Sequence, residues 1–106
     1  MSDWVTVARA DHIAPGDFRV ADVDGAQIAV FNIDGEYYAI ADVCTHDAGQ
    51  LTGGTVEGDV IVCPRHGARF CIRTGEALTE PAYEPTDTFP VRVHDGQVQV
   101  RDDRWD

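Results

Sequence analysis

Apolar and polar positions alternate along the chain in short bursts that turn signals interrupt, and no stretch sustains the spacing of an amphipathic helix. That pattern predicts strands at Trp4 to Ala8, Phe18 to Val23, Gln27 to Ile33, Glu36 to Ala41, Val60 to Val62, Phe70 to Ile72, Phe89 to Val93 and Gln97 to Arg101. Asp24-Gly25, Asp34-Gly35 and Asp95-Gly96 each stand between two such runs, where glycine supplies the positive φ of a tight turn, so three hairpins are expected. No period repeats and no low-complexity tract is present. Most strands fall in residues 1–41 and 86–106, while the middle is richer in Gly, Pro, Cys and His and reads as an insertion that carries the chemistry. The expected fold class is all-β, and 106 residues suit one compact domain spanning residues 1–106.

Charge narrows the set of partners. Nineteen acidic residues, 14 of them Asp, stand against eight Arg and no Lys, for a net charge of −11. Nucleic acid and anionic membrane are disfavoured, because both are bound through Lys and Arg that neutralise phosphates. A basic protein partner suits this surface; the plainer alternative is that acidity maintains solubility or reflects a salt-rich cytoplasm. Hydrophobic residues make up 43% of the chain, and no run approaches the roughly 20 apolar residues that a membrane span needs. The opening segment MSDWVTVARADH is acidic and has no signal-like apolar stretch, which predicts a cytoplasmic protein. Three unevenly spaced cysteines do not make a disulfide framework and agree with a reducing compartment.

The candidate chemistry lies in two short pairs, Cys44-Thr45-His46 and Cys63-Pro64-Arg65-His66, separated by the sixteen residues Asp47 to Val62. Each pair places a thiol and an imidazole on one loop, and Pro64 and Gly67 favour a tight turn beside the second pair. Two sulfur and two nitrogen ligands suit tetrahedral zinc or an iron-sulfur centre, and ligand type alone leaves both open. A chance pairing of buried cysteines with satisfied histidines is the bland reading, and the paired spacing argues against it.

The motifs C-T-H and C-P-x-H-G, followed by F-x-x-x-T-G, resemble the ligand loops of Rieske proteins. The resemblance extends to Gly53, Gly54, Gly67, Phe70, Thr74, Gly75 and the segment from Pro81 to Pro85. It covers nearly the whole chain and is similar to the stand-alone ferredoxin components of bacterial ring-hydroxylating dioxygenase systems. It implies a basal antiparallel β sandwich or barrel built from about residues 1–41 and 81–106, with a smaller inserted cluster-binding lobe at about 42–80. It also implies one 2Fe-2S cluster, with Cys44 and Cys63 on an inner iron and His46 and His66 on an outer one.

Departures from the respiratory branch of that family matter for potential. That branch usually carries an extra disulfide-forming Cys in each loop, where this chain has Gly49 and Arg65. It also usually presents Ser and Tyr hydroxyls to the cluster sulfurs, where this chain has Ala68 and Phe70. Hydrogen bonds to sulfur stabilise the reduced state, so their loss predicts a potential near the low end of the roughly −150 to +300 mV Rieske range.

The remaining residues have plainer readings. Cys71, on a predicted strand, is expected to be a buried inert thiol outside the site. His12 and His94 read as surface histidines, and Trp4, Phe31, Tyr37 and Tyr38 as core or flanking residues. Arg65, Arg69 and Arg73 concentrate basic charge around the second loop, either as a docking feature or as local compensation. No second set of histidines with a carboxylate offers a mononuclear iron site, so the chain is expected not to be an enzyme.

The resemblance implies a monomeric electron carrier that docks first with a ferredoxin reductase containing flavin or an iron-sulfur centre, then with a terminal oxygenase. The rivals are a Rieske component serving a nitrite reductase or cytochrome P450, a sensor built on the same cluster, and a zinc-stabilised binding module.

Overall fold

Ten β-strands and one turn of 3-10 helix, Ala10–His12, follow one another in a computed structural model that describes residues 4–45, 49–65, 67–80 and 82–104. The strands are β1 Val5–Arg9, β2 Phe18–Val23, β3 Ala26–Ile33, β4 Glu36–Ala41, β5 Thr55–Glu57, β6 Val60–Val62, β7 Arg69–Cys71, β8 Thr88–Phe89, β9 Val91–His94 and β10 Gln97–Val100. They form three antiparallel sheets, ordered β1-β10-β9, β2-β3-β4-β8 and β5-β6-β7, as the all-β expectation requires.

The hairpin turns were legible in full. Asp24-Gly25, Asp34-Gly35 and Asp95-Gly96 link β2 to β3, β3 to β4 and β9 to β10, and both residues of each pair have positive φ. That is the type I′ geometry whose twist matches the strands it joins. Asp tolerates the left-handed region because its short polar side chain can bond locally.

The four-stranded sheet lies between the other two and is buried on both faces. Ile28, Val30 and Ala39 point into one core with Val98, Val100 and Phe89, between this sheet and β1-β10-β9. Ala29, Phe31, Ile33 and Ile40 point into a second core with Ile61, Phe70 and the two cysteines of the loops. Alternate side chains of a strand face opposite ways, so β3 must be apolar at nearly every position to serve both. Asn32 is the buried polar exception, and both ends of its amide are engaged: Nδ2 donates to the Ile13 carbonyl at 2.7 Å, and Oδ1 accepts from the Gly35 N–H at 2.8 Å.

Two expectations need correction. The single strand predicted from Phe89 to Val93 is two strands in different sheets, because Pro90, lacking an N–H, stands where the chain leaves β4 and joins β10. Strand β5 was not expected, since its three residues offer one apolar side chain, Val56. It meets β6 through Gly58-Asp59, with positive φ at Gly58, the residue that a type II′ turn places first.

The segment between β4 and β5 is held by Asp42, which is 2% exposed. Its Oδ1 accepts from the N–H groups of Leu51 at 3.0 Å and Thr52 at 2.7 Å, and its Oδ2 from Thr52 Oγ1 at 2.6 Å and Gln50 Nε2 at 3.1 Å. Two close backbone approaches complete the frame. A Cβ on Gly54 would overlap the Val62 carbonyl, and one on Gly75 would overlap the Thr86 carbonyl, so both positions exclude any side chain. At the other end of the chain, Asp102 is gripped in bidentate fashion by Arg104 at 2.8 and 2.9 Å, and the guanidinium lies 5.2 Å from the Phe89 ring centroid.

Replacing Asp42 by Asn turns one acceptor into a donor facing donors. Thermal or denaturant unfolding is expected to show a loss of at least about 2 kcal/mol, with the first loop loosened. A second prediction concerns acid. Hydrogen bonding to the Arg104 guanidinium holds the Asp102 carboxyl at about 2 against an ordinary 3.8. A carboxyl depressed in the folded state contributes stability that is complete above its ordinary value and is lost as pH falls through about 2. Asp102→Asn is therefore expected to flatten the slope of stability against pH between about 4 and 2. Equal slopes in acid titrations of the two proteins would contradict this assignment.

Candidate metal centre

Two loops emerge beside each other from the ends of short strands. The first leaves β4 through Asp42 and Val43 to Cys44, whose N–H donates to the Gly49 carbonyl at 2.8 Å and closes the loop on itself. The second leaves β6 at Cys63, whose N–H donates to the Ala68 carbonyl at 2.7 Å, while the Gly67 N–H returns to the Cys63 carbonyl at 3.1 Å. Gly67 takes a φ of 75° there, so the reversal needs glycine. A third segment bears on the first loop, because Thr45 Oγ1 donates to the Glu84 carbonyl at 2.7 Å. Thr86 then ties that segment down, its N–H to the Gly75 carbonyl and its hydroxyl to the Ala41 carbonyl.

Cys44 and Cys63 are 0% and 2% exposed, unbridged, and part of one apolar cluster with Leu51, Ala68, Phe70 and Ile72. Burial in apolar surroundings is hard on a bare thiolate, and a coordinated metal is what stabilises the deprotonated form in such a place. Two dry thiols at the bases of adjoining loops therefore fit the sulfur half of a metal or cluster site. His46 and His66, the nitrogen half of the predicted set, lie outside the described residues, as does Pro81. Among the described residues, no group of three or more His, Cys, Asp and Glu side chains gathers to hold a metal.

Cys71 stands apart from the other thiols. It sits on β7 on the opposite face from the buried Phe70, and it is half-buried, not buried as expected, because strand alternation turns it away from the core. Ala68 and Phe70 are fully buried beneath the second loop, so the places expected to lack a hydroxyl belong to the apolar lining.

The three arginines near the second loop separate. Arg69 pairs with Glu57 at 2.8 Å, and Arg73 reaches Asp59 at 3.3 Å and Glu36 at 3.7 Å while lying 5.0 Å from the Tyr38 ring centroid. Those two are local charge compensation. Arg65 instead extends to the first loop, against Gly49. His12 and His94 are exposed beside Asp11 and Asp95, as expected of surface residues.

Sequence patterns did not reveal Asp42 or Thr45 as organisers of the first loop. The only local signal was their position flanking Cys44, and their partners lie 8 to 39 residues away.

Known proteins resemble this chain along most of their length. The chain is 38% identical over 91 residues to the biphenyl dioxygenase ferredoxin subunit of Pseudomonas sp. (strain KKS102), covering 85% of this chain and 84% of that protein. The solved ferredoxin of carbazole 1,9a-dioxygenase from Nocardioides aromaticivorans IC177 superposes with a TM-score of 0.88 at 33% identity, over 93% of this chain and 97% of that one. A chain in the solved complex of reduced oxygenase and oxidized ferredoxin of carbazole 1,9a-dioxygenase superposes with a TM-score of 0.87 at 39% identity, over 92% of this chain and 91% of that one. The model of the Rieske [2Fe-2S] domain matches residues 3–90, and this chain belongs to that family.

Proposed function

We propose that this protein is a one-electron carrier of a multicomponent oxygenase system, taking electrons from a ferredoxin reductase and delivering them to a terminal ring-hydroxylating oxygenase. The observation that carries this reading is the pair of buried, unbridged thiols at adjoining loops of a Rieske-family chain whose relatives are ferredoxin components of dioxygenases. Cys44, Cys63, His46 and His66 would hold a single 2Fe-2S cluster. When bound, such a cluster supplies a one-electron couple.

The residues of the chain do the rest. Leu51, Ala68, Phe70 and Ile72 keep water from the thiolates, and Asp42, Gly54 and Gly67 fix the loop backbones. No hydroxyl is offered at Ala68 or Phe70, which supports a potential at the low end of the family's range.

A carrier needs brief encounters with large partners, not a substrate cavity. Net charge of −11, with Arg69 and Arg73 already neutralised, favours steering toward basic docking surfaces. The protein acts as a cytoplasmic monomer in this scheme.

The decisive experiment is EPR of the dithionite-reduced protein with iron, sulfide and zinc analysis of the same sample. A rhombic Rieske signal with about two irons per chain is expected. A silent spectrum with stoichiometric zinc would make the same residues a structural clamp and end the carrier reading. Cys44→Ala and Cys63→Ala are each expected to abolish the signal, whereas Cys71→Ala keeps it. Turnover with a reductase and oxygenase should fall as ionic strength rises; a salt-independent rate would remove electrostatic steering from the scheme.

A further inference from the structure

The first and second loops meet where Arg65 lies against Gly49. A Cβ placed on Gly49 would lie 2.5 Å from Arg65 Cζ, 2.6 Å from Nη2 and 2.8 Å from Nε. These are the three atoms nearest to that position, and all belong to the guanidinium. The plane of Arg65 thus fills the space that a side chain at residue 49 would need. Gly49 is also the residue whose carbonyl closes the first loop on the Cys44 N–H. Arg65 stands between Cys63 and His66 in the second loop.

We propose that Arg65 is a positioning residue that ties the Cys63 loop to the Cys44 loop by seating its guanidinium on Gly49, and that it thereby fixes a permanent positive charge beside the redox centre. The inference rests on the cluster reading above for its redox consequence, but the tie itself is a property of the chain. Arginine suits the role because its guanidinium is flat, keeps its charge at any physiological pH and is weakly hydrated. Glycine suits position 49 because any Cβ displaces that plane. The displaced atoms are the far end of a flexible side chain, so alanine at 49 moves Arg65 and leaves the backbone in place.

A cation held beside a centre that gains negative charge on reduction favours the reduced state. Removing or displacing it lowers the potential. The two substitutions act on one contact, so their effects do not add.

The test compares the purified holoprotein with Arg65→Gln, Gly49→Ala and the double variant, using far-UV circular dichroism to confirm folding. Peptide-level hydrogen exchange across residues 42–52 and the midpoint potential are the two readouts. Arg65→Gln, although placed in the second loop, is expected to speed exchange in the first loop severalfold, and Gly49→Ala is expected to do the same. The double variant should exchange no faster than the quicker single variant, and all three should have lower potentials than the parent. Exchange in residues 42–52 unmoved by Arg65→Gln, effects that sum in the double variant, or a potential indifferent to Arg65 would each overturn the proposal. Absence of iron and sulfide in the parent would instead refute the cluster reading, and the exchange data would still report on the tie.

Discussion

Ile28 and Val30 project from β3 into one core, while Ala29, Phe31 and Ile33 project into the other, and the whole layered arrangement is organised around that doubly buried strand. In a strand with one wet face, a slip by one residue exposes its apolar set and is rejected at once. A strand that is apolar on both faces has no such safeguard, because the slip would only exchange one core for the other. Register must come from elsewhere. It comes from the two Asp-Gly turns that bracket β3 and from Asn32, whose amide bonds to Ile13 and Gly35 exist in one register only. A buried polar side chain acts here as a register pin, and the first cysteine loop inherits its placement from it through β4.

What was legible in the sequence follows from the range of the forces involved. Hairpins declare themselves because Asp-Gly and alternation act over a few residues, and the sequence pattern found the turns at Asp24, Asp34 and Asp95. The pairing of Cys44 and Cys63 as buried neighbours on two loops was legible for a related reason: the Cys-x-His and Cys-x-x-His spacings that marked them act over a few residues. Strand β5 was not, since its place depends on pairing with β6 and not on its own three residues. Nor was the break at Pro90, where the choice of sheet is made by β4 and β10, far away in the chain. Asp42 looked like one acidic residue among many, because nothing local distinguishes an exposed carboxylate from one that is about to receive hydrogen bonds from residues 50 to 52. The contact of Arg65 with Gly49 was visible only in outline: the resemblance set the two residues where another branch carries paired cysteines, but nothing local says that a guanidinium lies against a glycine there.

The charge pattern is also clearer in three dimensions. Basic residues are few, and most of those described are spent close at hand: Arg69 on Glu57, Arg73 on Asp59 and Glu36, Arg104 on Asp102, Arg19 on Asp17 and Arg9 on Asp11. The exposed pairs among them contribute little stability each, the buried Asp102 carboxylate being the exception. Their larger effect is to remove positive patches from the surface, leaving a field dominated by carboxylates to guide approach.

The pairing of β1 with β10 joins Val5 to Val100, so the first strand finds its partner only when the last has been made. Contacts of such long sequence separation form slowly, and a growing chain on the ribosome would display Cys44 and Cys63 well before the strands that complete the fold exist. Two thiols that end buried begin accessible. Assembly is thus a race between completion of the outer sheet and oxidation, and a reducing surrounding matters most to this protein before it is finished.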